Sequence, residues 1–177
     1  LAVWRWRWYN LQGYAQVLPK KGAAQWLNIE GISVDMPLIL QTFCSGSDGN
    51  CALVSDGSTH LLIDAGLTLK NAEAAHGAWI SPGELSAILI THEHTDHVRG
   101  ADLIASRYDV PIYATGATWL AMETRLVTRT AAKNRIVFDK ADDFYIGDIN
   151  VQPFGIPHDA ADPVGYVIFS KGRRIVF

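Results

Sequence analysis

The chain has 177 residues, of which 49% are apolar and 19% charged, with a formal net charge of −3. That length suits one domain with a sizeable core, and the apolar fraction excludes an intrinsically disordered chain. A pI near 6.0 gives no global attraction to nucleic acid or to anionic membranes, so any such binding has to come from a local patch.

Residues 1–36 carry scattered aromatics, an alternating Trp–Arg run (LAVWRWRWYN, 1–10) and a PKKG turn at 19–22. They read as a non-native or disordered extension before a domain spanning 37–177, with Met36 as a candidate natural start. LILQTF (38–43) is an expected strand, followed by the turn-rich CSGSDGN (44–50). CALVS (51–55) and THLLID (59–64) flank a DGS turn and form an expected hairpin of buried strands. TLKNAEAAHGAW (68–79) has helical composition. Ser81, Pro82 and Glu84 fit the start of a one-turn helix before the strand SAILI (86–90).

VRGADLIASRYD (98–109) fits a helix with Ala101, Ile104 and Ala105 on one face; PIYAT (111–115) follows as a strand, then ATWLAMETRL (117–126) as a helix. The last third is β-rich: IVF (136–138), DFYI (143–146), INVQPF (149–154), VGYVIF (164–169) and RRIVF (173–177), separated by turn signals. Strands, then strand–helix alternation, then hairpins predict an α+β fold with a mixed sheet pair and outer helices. The chain stops in mid-strand at RRIVF, which reads as a fragment of a longer protein. No apolar run reaches the roughly 18 residues of a membrane span, so a soluble, cytoplasmic protein without a membrane partner is expected. Cys44 and Cys51 are the two cysteines, and reduced thiols are expected.

The chemistry concentrates in THEHTDH (91–97), directly after the buried strand. Three of the six histidines fall within these residues, a clustering that a polar surface loop explains poorly. In an extended segment His92 and His94 project to the same side. Asp96 and His97 follow where the chain turns into the next helix. The cluster therefore offers two nitrogens to one ion, and a carboxylate plus a nitrogen to a second. Zinc takes such ligands at roughly 2.0–2.2 Å. Glu93 alternates away from them, and residue 96 is aspartate, so this is not an HExxH helix.

THEHTDHVRG (91–100) resembles the H-x-H-x-D-H-x-x-G motif of the metallo-β-lactamase superfamily. THLLIDAG (59–66) resembles its first motif. CSGSDGN (44–50) and IPHDAADPVGY (156–166) resemble motifs of its bacterial WalJ/YycJ-like branch. The resemblance covers roughly residues 38–177 and implies an αββα sandwich, incomplete at the C-terminus, with one or two metals at the sheet edge. It implies that His92, His94 and His158 hold the first metal and that Asp96 and His97 supply the second. Asp64 is expected to orient the loop or an imidazole through hydrogen bonds, so Asp64 and Asp96 are the candidate catalytic carboxylates. The resemblance places the superfamily's T-D-x-G motif, with its bridging aspartate, where the chain stops at Phe177, so two of the four protein ligands it implies for the second position are expected here.

The implied activity is hydrolysis by metal-activated water, with Zn²⁺ or Mn²⁺, acting on DNA as a phosphodiesterase or 5′-to-3′ exonuclease. Bound metals would supply the positive charge that the acidic surface lacks. Two alternatives stay open: an acyl hydrolase of the glyoxalase II or β-lactamase kind, and a non-catalytic metal-binding fragment.

Overall fold

A computed structural model describes residues 38–68, 70, 71, 82–123 and 129–177, together with the backbone of three strands nearer the N-terminus. Those three, β1 (Arg5–Trp8), β2 (Ala15–Leu18) and β3 (Gln25–Trp26), pair antiparallel as a small sheet of their own. The rest of 1–37 and most of the expected helix at 68–79 lie outside the described residues, as do Met36, Ser81 and His76.

Two larger sheets form the body. The first has six strands in sequence order: β4 (Ile39–Cys44), β5 (Cys51–Ser55), β6 (His60–Ile63), β7 (Ala87–Leu89), β8 (Ile112–Thr115) and β9 (Arg135–Phe138). β4, β5 and β6 are antiparallel neighbours, whereas β6 through β9 run parallel. The second is an antiparallel meander of β10 (Phe144–Ile146), β11 (Ile149–Gly155), β12 (Val164–Ser170) and β13 (Arg173–Val176). Cys44 and Cys51 face each other across β4 and β5 as free thiols.

The continuous apolar runs of β5, β6 and β7 reflect burial on both faces. Successive side chains alternate between two cores. Val54, Leu61, Ile63, Ala87 and Leu89 pack against Ile149, Val151, Val164, Tyr166 and Ile168 of the second sheet. Leu53, Leu62, Ile88 and Ile112 face the other way, onto a helical layer. That layer contains α1 (Thr95–Val98), α2 (Ala101–Tyr108) and α3 (Gly116–Glu123). Ala101, Ile104 and Ala105 of α2 are buried there, on the face their spacing predicts, with Trp119 and Met122 of α3 beside them.

The layers are thus helix, sheet and sheet, in an α+β arrangement. Among the described residues, no helix is long and apolar enough to cross a membrane. Since β6 and β7 are parallel and β5 is antiparallel to β6, the connections 45–50, 64–68 and 90–100 all emerge at one end of the sheet. The carboxyl ends of parallel strands are where such sheets place their sites.

Candidate metal centre

Asp64 ends β6 in the left-handed region, with φ +57, a conformation that aspartate tolerates better than most side chains. It is fully buried. One carboxylate oxygen accepts the Thr91 N–H at 2.8 Å; the other accepts the Thr91 hydroxyl at 2.8 Å and His97 Nδ1–H at 2.7 Å. Burial pushes the Asp64 pKa up, against the lowering effect of His97 and Thr91. Burial likewise depresses His97, but the Asp64 hydrogen bond and charge outweigh it and leave its pKa raised.

The same chain of bonds reaches His92. The Thr91 hydroxyl has given its proton to Asp64, so at 2.9 Å it accepts from His92 Nδ1–H. His92 Nε2 is left with its lone pair. His158 Nδ1 lies 3.1 Å from Asp159 Oδ1, which holds the ring at the turn. His94 donates through Nε2 to the Asp159 carbonyl at 3.2 Å, which frees Nδ1. His92 and His94 are thus each tied on one side to an oxygen acceptor, which fixes the tautomer and leaves one ring lone pair free.

The three rings converge. Ligand atoms of His92, His94 and His158 all lie within 4.8 Å of one another. The ring centroids of His92 stand 4.6 Å from those of both His94 and His158, and His94 and His158 are 5.0 Å apart. His92 Nε2 and His158 Nε2 are separated by 3.2 Å. Two nitrogens at about 2.05 Å from one tetrahedral ion stand roughly 3.3 Å apart. The spacing of these imidazoles is the one that ligands of a single ion take, so the donor set fits a divalent metal. The His92 pKa is pushed down to about 4, first by burial and then by the neighbouring imidazoles of His97, His94 and His158, which keeps the ring neutral for ligation.

Asp96 and His97 stand beside the triad, in α1 rather than in an extended loop. His94 is the N-cap of that turn, and the short helix carries the two side chains round to one spot. Asp96 Oδ2 and His97 Nε2 are 3.5 Å apart, and the His97 ring centroid lies 4.0 Å from that of His92. The pair offers one oxygen and one nitrogen to a second cation. All five ligand candidates and Asp64 therefore meet at the sheet end. Zinc and manganese both match this mix of imidazole and carboxylate.

Three supporting residues carried little signal in the sequence. Asn50, expected only as a turn residue, places Nδ2 3.0 Å from both Asp96 Oδ2 and His97 Nε2, which share one of its amide hydrogens. Thr91 relays the Asp64 carboxylate to His92. Glu93 points away from the metal ligands, as alternation requires, but it is buried and accepts the Ala161 N–H at 3.0 Å. It therefore anchors the 156–163 turn that delivers His158. The turn is also held by the Val164 N–H to the Thr91 carbonyl at 3.0 Å, by the Tyr166 hydroxyl to the Ile90 carbonyl, and by the Lys140–Asp162 ion pair.

Glycines let the backbones interlock. A Cβ on Gly66 would lie 1.6 Å from the Asp96 carbonyl oxygen, and one on Gly100 would lie 2.1 Å from that of Leu67. Main-chain bonds run Asn50 N–H to Asp96, Gly66 N–H to Asn50, Ala65 N–H to His97 and Gly100 N–H to Ala65. His60, outside this site, pairs with Ser55 Oγ at 2.8 Å.

Residues 45–177 match the family model for the metallo-β-lactamase superfamily. The chain is 39% identical over 141 residues to exodeoxyribonuclease YycJ of Bacillus anthracis, a match covering 79% of this chain and 53% of the relative. It is 38% identical over 135 residues to exodeoxyribonuclease WalJ of Streptococcus pneumoniae, covering 75% and 50%. The chain thus spans about half the length of these relatives. The metallo-β-lactamase fold protein YhfI of Bacillus subtilis superposes with a TM-score of 0.64 at 18% identity, covering 79% of this chain and 61% of that one, which shows the shared fold. By its fold, by the family match over residues 45–177 and by its similarity to YycJ and WalJ, the chain belongs to the metallo-β-lactamase superfamily.

Proposed function

We propose that this protein is a metal-dependent nuclease that hydrolyses phosphodiester bonds in DNA, working as an exonuclease from 5′ ends. The observation that carries the reading is the gathering of ligand atoms of His92, His94 and His158 within 4.8 Å of one another, beside the Asp96–His97 pair. The substrate class rests on similarity to relatives named exodeoxyribonucleases.

In this reading His92, His94 and His158 hold one divalent cation, and Asp96 with His97 contributes to a second. The cations supply Lewis acidity toward phosphoryl oxygens and a water activated near neutral pH. The chain's own residues do the positioning. Asp64 holds His97 directly and His92 through Thr91. Glu93 keeps His158 against the histidine loop. With a net charge of −3, the protein surface offers a phosphodiester little attraction, so the cations provide the local positive charge.

The test pairs zinc and manganese titration of the metal-stripped chain with cleavage of 5′-labelled single- and double-stranded DNA by the full-length protein. We expect tight binding that His158→Ala abolishes, and chelator-sensitive release of mononucleotides from the labelled end. Metal-loaded full-length protein that leaves DNA intact but turns over nitrocefin or S-lactoylglutathione would overturn the nuclease reading in favour of acyl hydrolysis.

A further inference from the structure

The contacts of Asn50 bear on the second cation position. Its Oδ1 accepts the Gly46 N–H at 3.1 Å, and its Nδ2 donates to the Gly46 carbonyl at 3.0 Å. Those two bonds fix both the plane of the carboxamide and which end is nitrogen. The amino group is thereby turned onto Asp96 Oδ2 and His97 Nε2, 3.0 Å from each. His97 gives its Nδ1–H to Asp64, so Nε2 of the neutral ring has a single lone pair, and the Asn50 amide hydrogen not held by Gly46 is shared between that lone pair and Asp96 Oδ2. A cation at this position needs that same lone pair. Any point about 2.1 Å from both ligand atoms also lies within roughly 3.6 Å of Asn50 Nδ2, the positive end of the amide dipole. Among the described residues, no amide donor lies on the lone pairs of the triad.

Resting on the cation-pair reading of Asp96 and His97 given above, we infer that Asn50 is an internal competitor for the second cation. The carboxamide offers Asp96 and His97 one shared amide hydrogen, and an incoming ion must displace that hydrogen from the His97 lone pair. The two positions therefore differ in affinity by construction. The triad fills first, and the Asp96–His97 position fills only at higher free metal.

The experiment is calorimetric titration of the metal-stripped chain with Mn²⁺, with free ion counted in parallel by electron paramagnetic resonance. We expect a tight first step and a weaker second step, and His97→Ala should remove only the second. Asn50→Ala should tighten the second step about tenfold, the worth of the shared hydrogen bond the ion no longer has to displace, and leave the first unchanged. Asn50→Asp should tighten it further by adding an anionic oxygen, and it serves as the readout if the alanine variant does not fold. A second step that is unchanged or weaker in Asn50→Ala, with the first intact, overturns the competitor and leaves the nuclease reading standing. Absence of the first step in the parent chain removes both.

Discussion

Asp64→Asn isolates the hydrogen-bond logic of the centre, because asparagine also tolerates the left-handed backbone found here (φ +57). The amide oxygen can keep the Thr91 N–H, but the amide nitrogen then faces the Thr91 hydroxyl and His97 Nδ1. Both must become acceptors. His97 moves its proton to Nε2, and the Thr91 hydroxyl turns its proton toward His92 Nδ1, which pushes the His92 proton to Nε2. One substitution thereby caps a ligand lone pair at each cation position.

Stability should change little. Losing charge assistance on three bonds costs about 1 kcal/mol each, and removing a buried charge returns a desolvation cost of similar size. The raised Asp64 pKa agrees, since burial there already favours the neutral form. We expect urea unfolding of the metal-stripped variant within about 2 kcal/mol of the parent, and zinc affinity lowered roughly 10- to 100-fold, as for lost partners of metal-bound histidines. The assay is competition against a chromophoric zinc chelator. Parent-like zinc affinity in a folded Asp64→Asn protein would refute the tautomer relay.

Gly66→Ala places a methyl 1.6 Å from a backbone oxygen; we expect a loss above about 4 kcal/mol, read as insoluble protein or a lost unfolding transition. Glu93→Ala strips the acceptor from Ala161 N–H and frees the turn bearing His158, so zinc affinity should fall about tenfold by the same competition assay, with α-helical circular dichroism retained. Asp56 is buried and accepts from Ser58 N–H and Oγ–H, Thr59 N–H and Ser170 Oγ–H. Burial raises its pKa, but these donors outweigh that and leave it lowered. A carboxylate with a depressed folded pKa stabilises above its unfolded value, about 3.9, and loses that contribution as pH falls through the folded one. Stability measured by urea between pH 6 and pH 2 should therefore fall less steeply in Asp56→Asn than in the parent.

The strands of the two main sheets were legible because burial on one or both faces writes itself as apolar runs of the right length. CALVS is a strand over the residues expected, and RRIVF gives up only its last residue. Helix α1 was not legible: four residues of TDHV carry no periodicity, and it was read as part of the loop. His92, His94, Asp96 and His97 stand out in the sequence because ligation demands particular side chains at close spacing, and Asp64 because a charge ending an apolar strand needs a reason; His158, far along the chain, stands out only through its resemblance to a family motif. Asn50 and Glu93 were not legible. Nothing local separates a turn asparagine from one that touches residues 46 and 47 positions away. A buried glutamate in a histidine loop shows its partner only once Ala161 is brought beside it.

The bare backbone contact at Gly66 and Gly100 also limits how this centre can diversify. With carbonyls of Asp96 and Leu67 seated where side chains would be, the histidine-bearing floor has no room for an added residue or a bulkier one. Among the described residues the opposite bank is built differently: past His158 the turn is held by a few polar ties and not by backbone seated on backbone, so residues 159–163 can change with less disturbance to the floor.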